Sequence, residues 1–333
     1  MVLEDGPGRF AARSAIDMHV HVTEGTGEAG RDAVSRSFQQ AAASYFGSDA
    51  QTTVDAIADY YRGIDISCVV FAVDSESATG RTPVSSEEIA ELAAAHADVM
   101  IPFGSVDPWR GEVARRSIRR LVEQYGVKGF KFHPSTQGFA PNDTRFYPLY
   151  EVIESAGLPV VFHTGQTGIG ARMRGGGGIR LKYSNPMLLD DVAADFPDLT
   201  IIMAHPSVPW QDEGLAVALH KQNVYMDLSG WSPRYFEPKL VTYLKRMLTD
   251  KVMFGSDYPL ITPQRWLDDF AGLGVDEATT RKVVRENALR VLGLAAGSPN
   301  HDAVGSPDQD AVDSPDQEDA VGSPDQEQPN HRQ

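Results

Sequence analysis

Asp17-Met18-His19-Val20-His21 is the stretch on which the prediction of the fold depends. It ends a short run, Ala15–His21, that predicts a β-strand. Successive side chains of a strand point to opposite faces, so His19 and His21 are expected on one face, about 7 Å apart along the strand. Two neutral imidazoles in this position can share one divalent ion. An HxH pair alone is weak support for a metal site, and its weight depends on where the other histidines lie.

Short apolar runs alternate along the chain with longer stretches of helical periodicity. Besides Ala15–His21, the predicted strands are Ser67–Asp74, Met100–Asp107, Val127–Pro134, Pro159–Gly165, Thr200–Ser207, Val224–Gly230 and Lys251–Pro259. The helices predicted between them include Val54–Arg62, Ser86–Ala97, Glu112–Tyr125, Arg145–Ala156, Met187–Asp195, Glu213–Lys221, Tyr235–Leu248 and Gln264–Leu273. Eight such units predict an α/β protein with a (β/α)8 TIM barrel. A doubly wound sheet is the alternative, and the lack of a glycine-rich phosphate turn after the first strand argues against it.

Three segments depart from a bare barrel. Residues 22–51 form a long polar connection after the first strand, which is expected to lie over the carboxyl-terminal mouth as a lid or substrate wall. A glycine-rich loop, Ile169–Lys182, follows the fifth strand, and Asp276–Leu294 predicts two closing helices. The barrel domain is therefore expected to span residues 1–296.

Residues 297–333 differ in composition from the rest of the chain. The motif Ser-Pro-Asp-Gln begins at Ser306, Ser314 and Ser323, and no aromatic residue occurs in the region. With few large apolar residues, the region cannot offset the entropy lost on ordering. A disordered acidic tail is predicted.

Composition limits the classes of function. The 333 residues include 41% hydrophobic and 23% charged residues, which are ordinary values for a globular protein. The net charge of −16 argues against nucleic-acid or anionic-membrane binding. The sequence shows neither a signal peptide nor a membrane-spanning run, and its single cysteine, Cys68, excludes an internal disulfide. A cytoplasmic protein is expected.

Five of the nine histidines fall at or near the carboxyl ends of predicted strands. They are His19 and His21 of the first strand, His133 of the fourth, His163 of the fifth and His205 of the sixth. The eighth strand ends in Phe254-Gly-Ser-Asp257-Tyr-Pro. In a barrel all these ends converge on one mouth, where active sites lie. Histidine and carboxylate ligands suit Zn²⁺, with Mn²⁺ or Fe²⁺ as alternatives by ligand type.

This ordered set of motifs resembles the amidohydrolase superfamily of metal-dependent barrels, from Ala15 to Leu294. Its amidohydrolase-related branch, which includes aminocarboxymuconate-semialdehyde and resorcylate-type decarboxylases, is similar in four segments: Gly129-Phe-Lys-Phe-His-Pro134, Val161-Phe-His-Thr-Gly165, Met203-Ala-His-Pro206 and Phe254-Gly-Ser-Asp-Tyr-Pro259. The stretch 45–266, with Gly177-Gly-Ile-Arg-Leu-Lys-Tyr-Ser-Asn-Pro186, is also similar to 4-hydroxyphenyl-β-ketoacyl-CoA hydrolases, which cleave a carbon–carbon bond.

The resemblance implies that His19, His21, His163 and Asp257 bind one divalent metal, with zinc expected. It also implies that His205 lies beside the water that the metal activates. A histidine there can take or return a proton because imidazole titrates near neutral pH, and the Asp257 carboxylate can relay one. A role as a fourth metal ligand is the alternative for His205.

Further residues are predicted to contact the substrate. Lys131 shares a strand face with His133, and either can hold a substrate carboxylate or oxyanion. Lys131 also matches the lysine that bridges two ions in two-metal members of the superfamily. Arg180 and Lys182 in the glycine-rich loop suit an acidic group, with a solvated basic loop as the alternative. Trp231 is the preferred wall of an aromatic pocket, with ordinary packing as the alternative.

The sequence thus predicts a metal-dependent hydrolase that acts on an aromatic or acidic carbonyl compound, an aromatic β-ketoacyl-CoA thioester being one candidate. Non-oxidative decarboxylation of an aromatic or muconate-type acid is the alternative, because both reactions need the same ligands. A non-catalytic scaffold that interacts through the tail is the alternative of a different class, and absence of a stoichiometric metal would favour it. The resemblance also implies a homodimer.

Overall fold

The computed structural model describes residue 10 and residues 12–27, 33–46 and 52–295. The predicted acidic tail, residues 297–333, and part of the predicted lid lie outside these ranges. None of the helices described is long and apolar enough to cross a membrane.

Eight parallel strands form the centre of the described fold. They are β1 (Ala15–His21), β2 (Ile66–Phe71), β3 (Met100–Pro102), β4 (Phe130–Phe132), β5 (Val160–His163), β6 (Ile201–Ala204), β7 (Val224–Asp227) and β8 (Val252–Met253). Regular ladders join β1 to β3 in order, and β4 to β8 in order. Single parallel bridges, Gly104 to Phe130 and Val20 to Tyr258, connect the two groups at both seams. The sheet therefore closes into the predicted (β/α)8 barrel.

Helices connect the strands around the barrel. In the described ranges they are α1 (Ala33–Phe46), α2 (Val54–Gly63), α3 (Glu76–Thr79), α4 (Ser86–Ala94), α5 (Glu112–Tyr125), α6 (Pro134–Gln137), α7 (Tyr147–Ser155), α8 (Leu188–Asp195), α9 (Gln211–His220), α10 (Pro238–Arg246), α11 (Pro263–Ala271), α12 (Glu277–Arg281) and α13 (Asn287–Val291). A π-helical turn, Lys282–Glu286, joins α12 to α13. Several predicted strands are longer than the observed ladders, because their last residues leave the sheet and carry side chains to the mouth.

The connection after β1, predicted only as a polar segment, contains α1. Phe38 of α1 is buried, and the guanidinium of Arg81 lies 5.6 Å from the centre of its ring. A Cβ atom added at Gly177 of the glycine-rich loop would lie 3.0 Å from the same ring. The helix α1 therefore packs against the loop that follows β5.

Two hydrophobic layers surround the strands. The inner layer combines inward-facing strand residues with Phe10 and α13: Ile16, Met18, Val69, Phe71, Ile101, Phe103, Val161, Ile202, Ala204, Met253, Ala288 and Leu289. The outer layer packs the alternate strand residues against the helices. Both faces of the strands are thus apolar, as expected for a parallel sheet covered by helices.

A β-bulge in β1 sets the direction of the two histidines. Asp17 and Val20 are three residues apart, but their partners in β2 are only two apart, so one extra residue is inserted between them. Met18 packs in the inner layer and Val20 in the outer layer. His19 and His21 then share a face on the mouth side of the bulge, as predicted, whereas Asp17 turns outward.

Candidate metal centre

His19, His21 and Asp257 form a tight group of metal-ligand side chains at the mouth. Nε2 of His21 lies 3.0 Å from Oδ1 of Asp257, and Nε2 of His19 lies 3.6 Å from the same oxygen. One ligand atom of each residue lies within 4.8 Å of the others. The barrel seam brings the residues together, because the backbone N–H of Asp257 donates to the carbonyl of His19 over 3.0 Å.

These separations suit a divalent ion. Ligand atoms about 2.1 Å from an ion lie about 3.0 Å apart at right angles and about 3.4 Å apart in a tetrahedron. The observed 3.0 and 3.6 Å agree with such an arrangement. The His19 side chain is 1% exposed and the His21 side chain 25%, so the group opens to solvent on the side of His21.

Asp227 at the end of β7 orients His19. Its Oδ2 lies 3.1 Å from Nδ1 of His19, so this nitrogen donates the hydrogen bond and Nε2 keeps its lone pair for a metal. Burial lowers the pKa of His19 to about 3, and the charge of Lys131 adds to the shift, so the ring is neutral at pH 7. Burial alone would raise the pKa of Asp227, but its interactions with His19, His205 and Lys131 outweigh burial and hold that pKa below its usual range.

His205, which follows β6, is held by Ser229, which follows β7. Its Nδ1 lies 3.0 Å from the carbonyl oxygen of Ser229 and 2.9 Å from the Ser229 hydroxyl, which itself donates to Asp227. A carbonyl only accepts, so Nδ1 carries the proton and Nε2 is unprotonated. Burial lowers the pKa of His205, which keeps the ring neutral at pH 7.

His163 at the end of β5 lies beside His205 but outside the group of three. Its Nδ1 lies 2.9 Å from Nε2 of His205, and with the His205 tautomer above it is the donor. Its Nε2 then has no proton, yet it lies 3.2 Å from the carbonyl oxygen of Gln166. Two acceptors this close repel each other, so the lone pair on Nε2 of His163 has no donor in this arrangement. The predicted metal-ligand role of His163 stays a prediction.

Lys131 of β4 enters the site from the opposite wall. Its side chain is fully buried, and Nζ lies 3.2 Å from Nε2 of His19 and 5.1 Å from the centre of the Phe71 ring. Burial lowers the pKa of Lys131 to about 8, so the amine remains mostly protonated at pH 7. The Lys131 ammonium therefore faces the lone pair on Nε2 of His19, the same nitrogen that would bind a metal.

The other predicted substrate contacts are distributed over the mouth. His133 is buried, and its ring stacks on that of His163 with centroids 3.7 Å apart. Arg180 and Lys182 are exposed in the loop after β5, and Nζ of Lys182 lies 5.4 Å from the ring of its neighbour Tyr183. Trp231 is partly buried against the outer hydrophobic layer. Among the contacts described, His133 touches the histidine cluster and the other three do not.

His205 and Asp257 both adopt left-handed backbone conformations, with φ of 71° and 66°. This region is costly for residues other than glycine and occurs often at functional sites. The strain is tolerated here because each side chain is fixed by several partners. Its presence at both residues supports a functional role for the mouth.

Three residues at the end of β7 and directly after it escaped the sequence prediction of the site. Asp227 orients His19, Ser229 holds His205, and Gly230 leaves room for the His205 ring. Gly230 has φ of 73°, and a Cβ atom there would lie 2.7 Å from Nδ1 of His205. The sequence did contain a signal for these residues. The seventh predicted strand ends in a run of small and polar residues, as do the other strands that supply the site.

The fold and the site define a class: barrel enzymes that hold a divalent metal with histidine and carboxylate ligands at the carboxyl ends of their strands. Within this class the chain belongs to the amidohydrolase family, because the family model described as Amidohydrolase matches residues 16–294. Curated protein sequences yield no match to the chain.

Solved structures share the fold at low sequence identity. An uncharacterized TIM-barrel protein, Bb4693 from Bordetella bronchiseptica, has 23% identity and a TM-score of 0.70, over 84% of this chain and 98% of that one. A dihydroxybenzoic acid decarboxylase from Polaromonas sp. JS666, with bound manganese and the inhibitor 2-nitroresorcinol, has 16% identity and a TM-score of 0.60, over 85% and 97%. A probable 2-pyrone-4,6-dicarboxylic acid hydrolase from Acinetobacter baumannii, with citric acid bound, has 15% identity and a TM-score of 0.55, over 84% and 99%.

Proposed function

We propose that this amidohydrolase-family enzyme hydrolyses a carbon–carbon bond next to the carbonyl group of an aromatic or acidic compound. An aromatic β-ketoacyl-CoA thioester is the specific candidate, which follows the sequence resemblance to 4-hydroxyphenyl-β-ketoacyl-CoA hydrolases. The observation that carries the proposal is the convergence of His19, His21 and Asp257 beside His205, whose Nε2 carries no proton and accepts a hydrogen bond from His163.

A divalent ion at such a group polarises a carbonyl and lowers the pKa of water toward about 7. We assign its binding to His19, His21, His163 and Asp257, with zinc as the expected ion. The rings of His19 and His163 are neutral at pH 7 because burial lowers their pKa values, so their nitrogens do not have to lose a proton before binding.

His205 is the proposed general base. Its neutral ring takes a proton from water as the water oxygen adds to the substrate ketone, and Ser229 stabilises the imidazolium through Nδ1. The bond between the ketone carbon and the thioester-bearing carbon then breaks, and His205 returns the proton to the latter carbon. The products are an aromatic acid and acetyl-CoA. Lys131, with its positive charge on the opposite wall, stabilises the negative charge on the ketone oxygen.

Non-oxidative decarboxylation is the second candidate, and Lys131 is the observation that favours it. A buried ammonium 3.2 Å from Nε2 of His19 is placed to hold a substrate carboxylate beside the ion. The decarboxylase from Polaromonas with a similar fold acts on a dihydroxybenzoic acid. Against this candidate, His205 is held neutral, whereas delivery of a proton to carbon needs a protonated acid.

Product analysis separates the two reactions. Purified protein is incubated with an aromatic β-ketoacyl-CoA and, in parallel, with 2,6-dihydroxybenzoate, and the release of acetyl-CoA and of CO₂ is measured. The proposal expects acetyl-CoA from the β-ketoacyl-CoA and no CO₂ from the dihydroxybenzoate. His205→Asn should lose the acetyl-CoA signal, whereas the control His220→Asn, at an exposed position of α9, should keep it. Release of CO₂ without acetyl-CoA would refute the proposed hydrolysis and support the decarboxylation.

Several finer expectations accompany the proposal. Zinc as the resident ion, a homodimer, a cytoplasmic location and the disordered tail stay predictions. Metal analysis of the purified protein tests the first, and it also tests the scaffold alternative, which expects no stoichiometric divalent ion.

A further inference from the structure

A cavity of about 230 Å³ lies at the mouth between the loops that follow β2, β3, β4 and β5. The described residues that line it are Ser77, Ala78, Thr79, Trp109, Ser135, Thr136, Gly138, Gly177, Gly178, Ile179 and Arg180. We call it the Trp109 cavity. None of the metal-ligand candidates lines it, so it is separate from the histidine cluster.

Trp109 forms a fixed aromatic wall of this cavity. Its Nε1 donates to the carbonyl of Gln137 over 2.7 Å, the Phe146 ring packs against it edge-on at 5.1 Å, and the Arg145 guanidinium lies 5.4 Å from its centre. Despite these contacts the residue is 44% exposed. A large aromatic ring held in place by three neighbours yet open to solvent is prepared to pack against a planar ligand.

Arg180 supplies the charge. It is the only charged residue among the described lining residues, and its guanidinium forms neither a hydrogen bond nor an ion pair with any of the described residues. The nearby arginines differ, since Arg110 pairs with Glu76 and Arg145 with Asp143. An unpaired guanidinium in a lining without acids favours an anion, and its planar donors match a carboxylate.

The cavity lies close to the proposed reaction site. The backbone N–H of Thr136, a lining residue, lies 3.4 Å from Nδ1 of His133, whose ring stacks on His163. A molecule that reaches from the histidine cluster toward the ends of β2 to β4 would place its far end in the cavity.

Volume limits what that far end can be. An apolar cavity of about 150 Å³ accommodates benzene, whereas pockets for whole drug-sized ligands start at about 300 Å³. The Trp109 cavity therefore suits one substituted ring and is too small for a complete CoA group.

We propose that the Trp109 cavity is a second substrate subsite, which binds a planar ring bearing a carboxylate remote from the reacting carbonyl, with Trp109 packing against the ring and Arg180 pairing with the carboxylate. This rests on the proposed function, because it takes the bound molecule to be the substrate of the histidine cluster. It implies a substrate with an acidic ring at the end that does not react.

Small probes test the subsite directly. Benzoate, its neutral analogue benzamide and acetate are titrated into the purified full-length protein, as isolated and after chelation of metal, with binding followed by ligand-observed NMR. Benzoate is expected to bind at least tenfold more tightly than benzamide or acetate in both states. Arg180→Met should reduce benzoate binding to the level of benzamide, and Trp109→Ala should weaken both ring probes.

Arg174→Met is the matched control, since Arg174 is an exposed arginine of the same loop that does not line the cavity. Unchanged benzoate binding in Arg180→Met, or equal loss in Arg174→Met, would overturn the subsite while leaving the proposed reaction intact. Arg180-dependent binding in a protein that releases neither acetyl-CoA nor CO₂ would support an acidic-ring site and refute the proposed reaction.

Discussion

The carboxylate of Asp227 accepts a hydrogen bond from His19 Nδ1 over 3.1 Å, and the same carboxylate accepts one from the Ser229 hydroxyl that contacts His205. One buried acid thus fixes the ring of a proposed metal ligand and, through Ser229, that of the proposed base. A hydrogen-bonded carboxylate behind a ligating histidine sets its tautomer and raises its basicity.

Asp227→Asn should weaken metal binding while preserving the fold, because the amide keeps the size of the carboxylate but removes its charge. The expected loss of metal affinity is about 10- to 100-fold. Competition with a chromogenic chelator measures it. Asp268→Asn, at an exposed position in α11, is the control and should bind metal as the wild type does. Equal affinities in the two variants would count against the role of Asp227.

His205→Asn should lower kcat by about 10²- to 10⁴-fold, the usual contribution of a general base. The bound metal should remain stoichiometric, because the variant removes the proton acceptor and leaves the proposed ligands His19, His21, His163 and Asp257 in place. Steady-state kinetics and metal analysis of the same preparation give both values. Loss of the metal together with the activity would instead identify His205 as a ligand.

The barrel and the mouth were predictable because they depend on local patterns. Apolar runs and helical periodicity predict the order of strands and helices, and a barrel necessarily brings the strand ends to one side. The positions of His19, His21 and Asp257 followed from that rule alone. The helix α1 was missed because the connection that contains it, residues 22–51, is polar as a whole.

Through-space partners were not predictable. The bulge in β1 turns Asp17 away from the mouth, although strict alternation would place it on the face of His19. The pairing of Asp227 with His19 joins residues 208 positions apart in the chain and depends on the curvature of the closed sheet. The cavity beside Trp109 arises from four loops at once, so no single stretch of sequence contains its signal.

Asp17 connects β1 to the segment that carries Asp257. Its Oδ1 accepts from the backbone N–H groups of His19 and Ser256 over 3.1 and 2.9 Å, and its Oδ2 accepts from the hydroxyls of Tyr61 and Ser256 over 2.7 and 2.5 Å. Each buried donor left unpaired costs about 1–3 kcal/mol. Asp17→Ala should therefore lower the free energy of unfolding by about 3 kcal/mol or more.

Asp17→Asn should be milder than Asp17→Ala, because the amide oxygen still accepts the two backbone N–H groups and the hydroxyls can reorient. Urea denaturation of both variants compares the free energies of unfolding. Tyr61→Phe, which removes only one donor, should cost about 1 kcal/mol. Equal losses in the alanine and asparagine variants would show that the hydrogen bonds do not account for the effect.

Buried histidines make the protein less stable in acid. Burial lowers the pKa of His19 from 6.5 to about 3 and also lowers the pKa values of His133, His163 and His205. Below pH 6.5 the unfolded chain therefore binds protons at these rings that the native state does not bind, so stability is present above that pH and lost as the pH falls. The thermal midpoint of the chelated protein should be lower at pH 5 than at pH 7.5.

Asp17 acts in the opposite direction. Burial raises its pKa from 3.8 to about 7, so between these values the native state holds a proton that the unfolded chain has lost, and stability rises as the pH falls. The four histidine rings together lower the stability in acid by more than this one carboxyl group raises it. In Asp17→Asn the opposing contribution is absent, so the midpoint should fall more steeply between pH 7.5 and pH 5 than in the wild type. A shallower fall would contradict the raised pKa of Asp17.

Gly230→Ala should disturb the proposed base without removing any of its hydrogen-bond partners. The new Cβ would lie 2.7 Å from Nδ1 of His205 and 3.2 Å from Oδ2 of Asp257, at a φ of 73° that side chains rarely adopt. The expected result is a loss of about 1–3 kcal/mol in stability from the strained backbone and a decrease in kcat that exceeds the effect on KM. Gly63→Ala is the control, since nothing lies within 4 Å of its added Cβ and it ends α2 away from the mouth. If both variants kept wild-type kcat, the close approach at Gly230 would have no bearing on the position of His205.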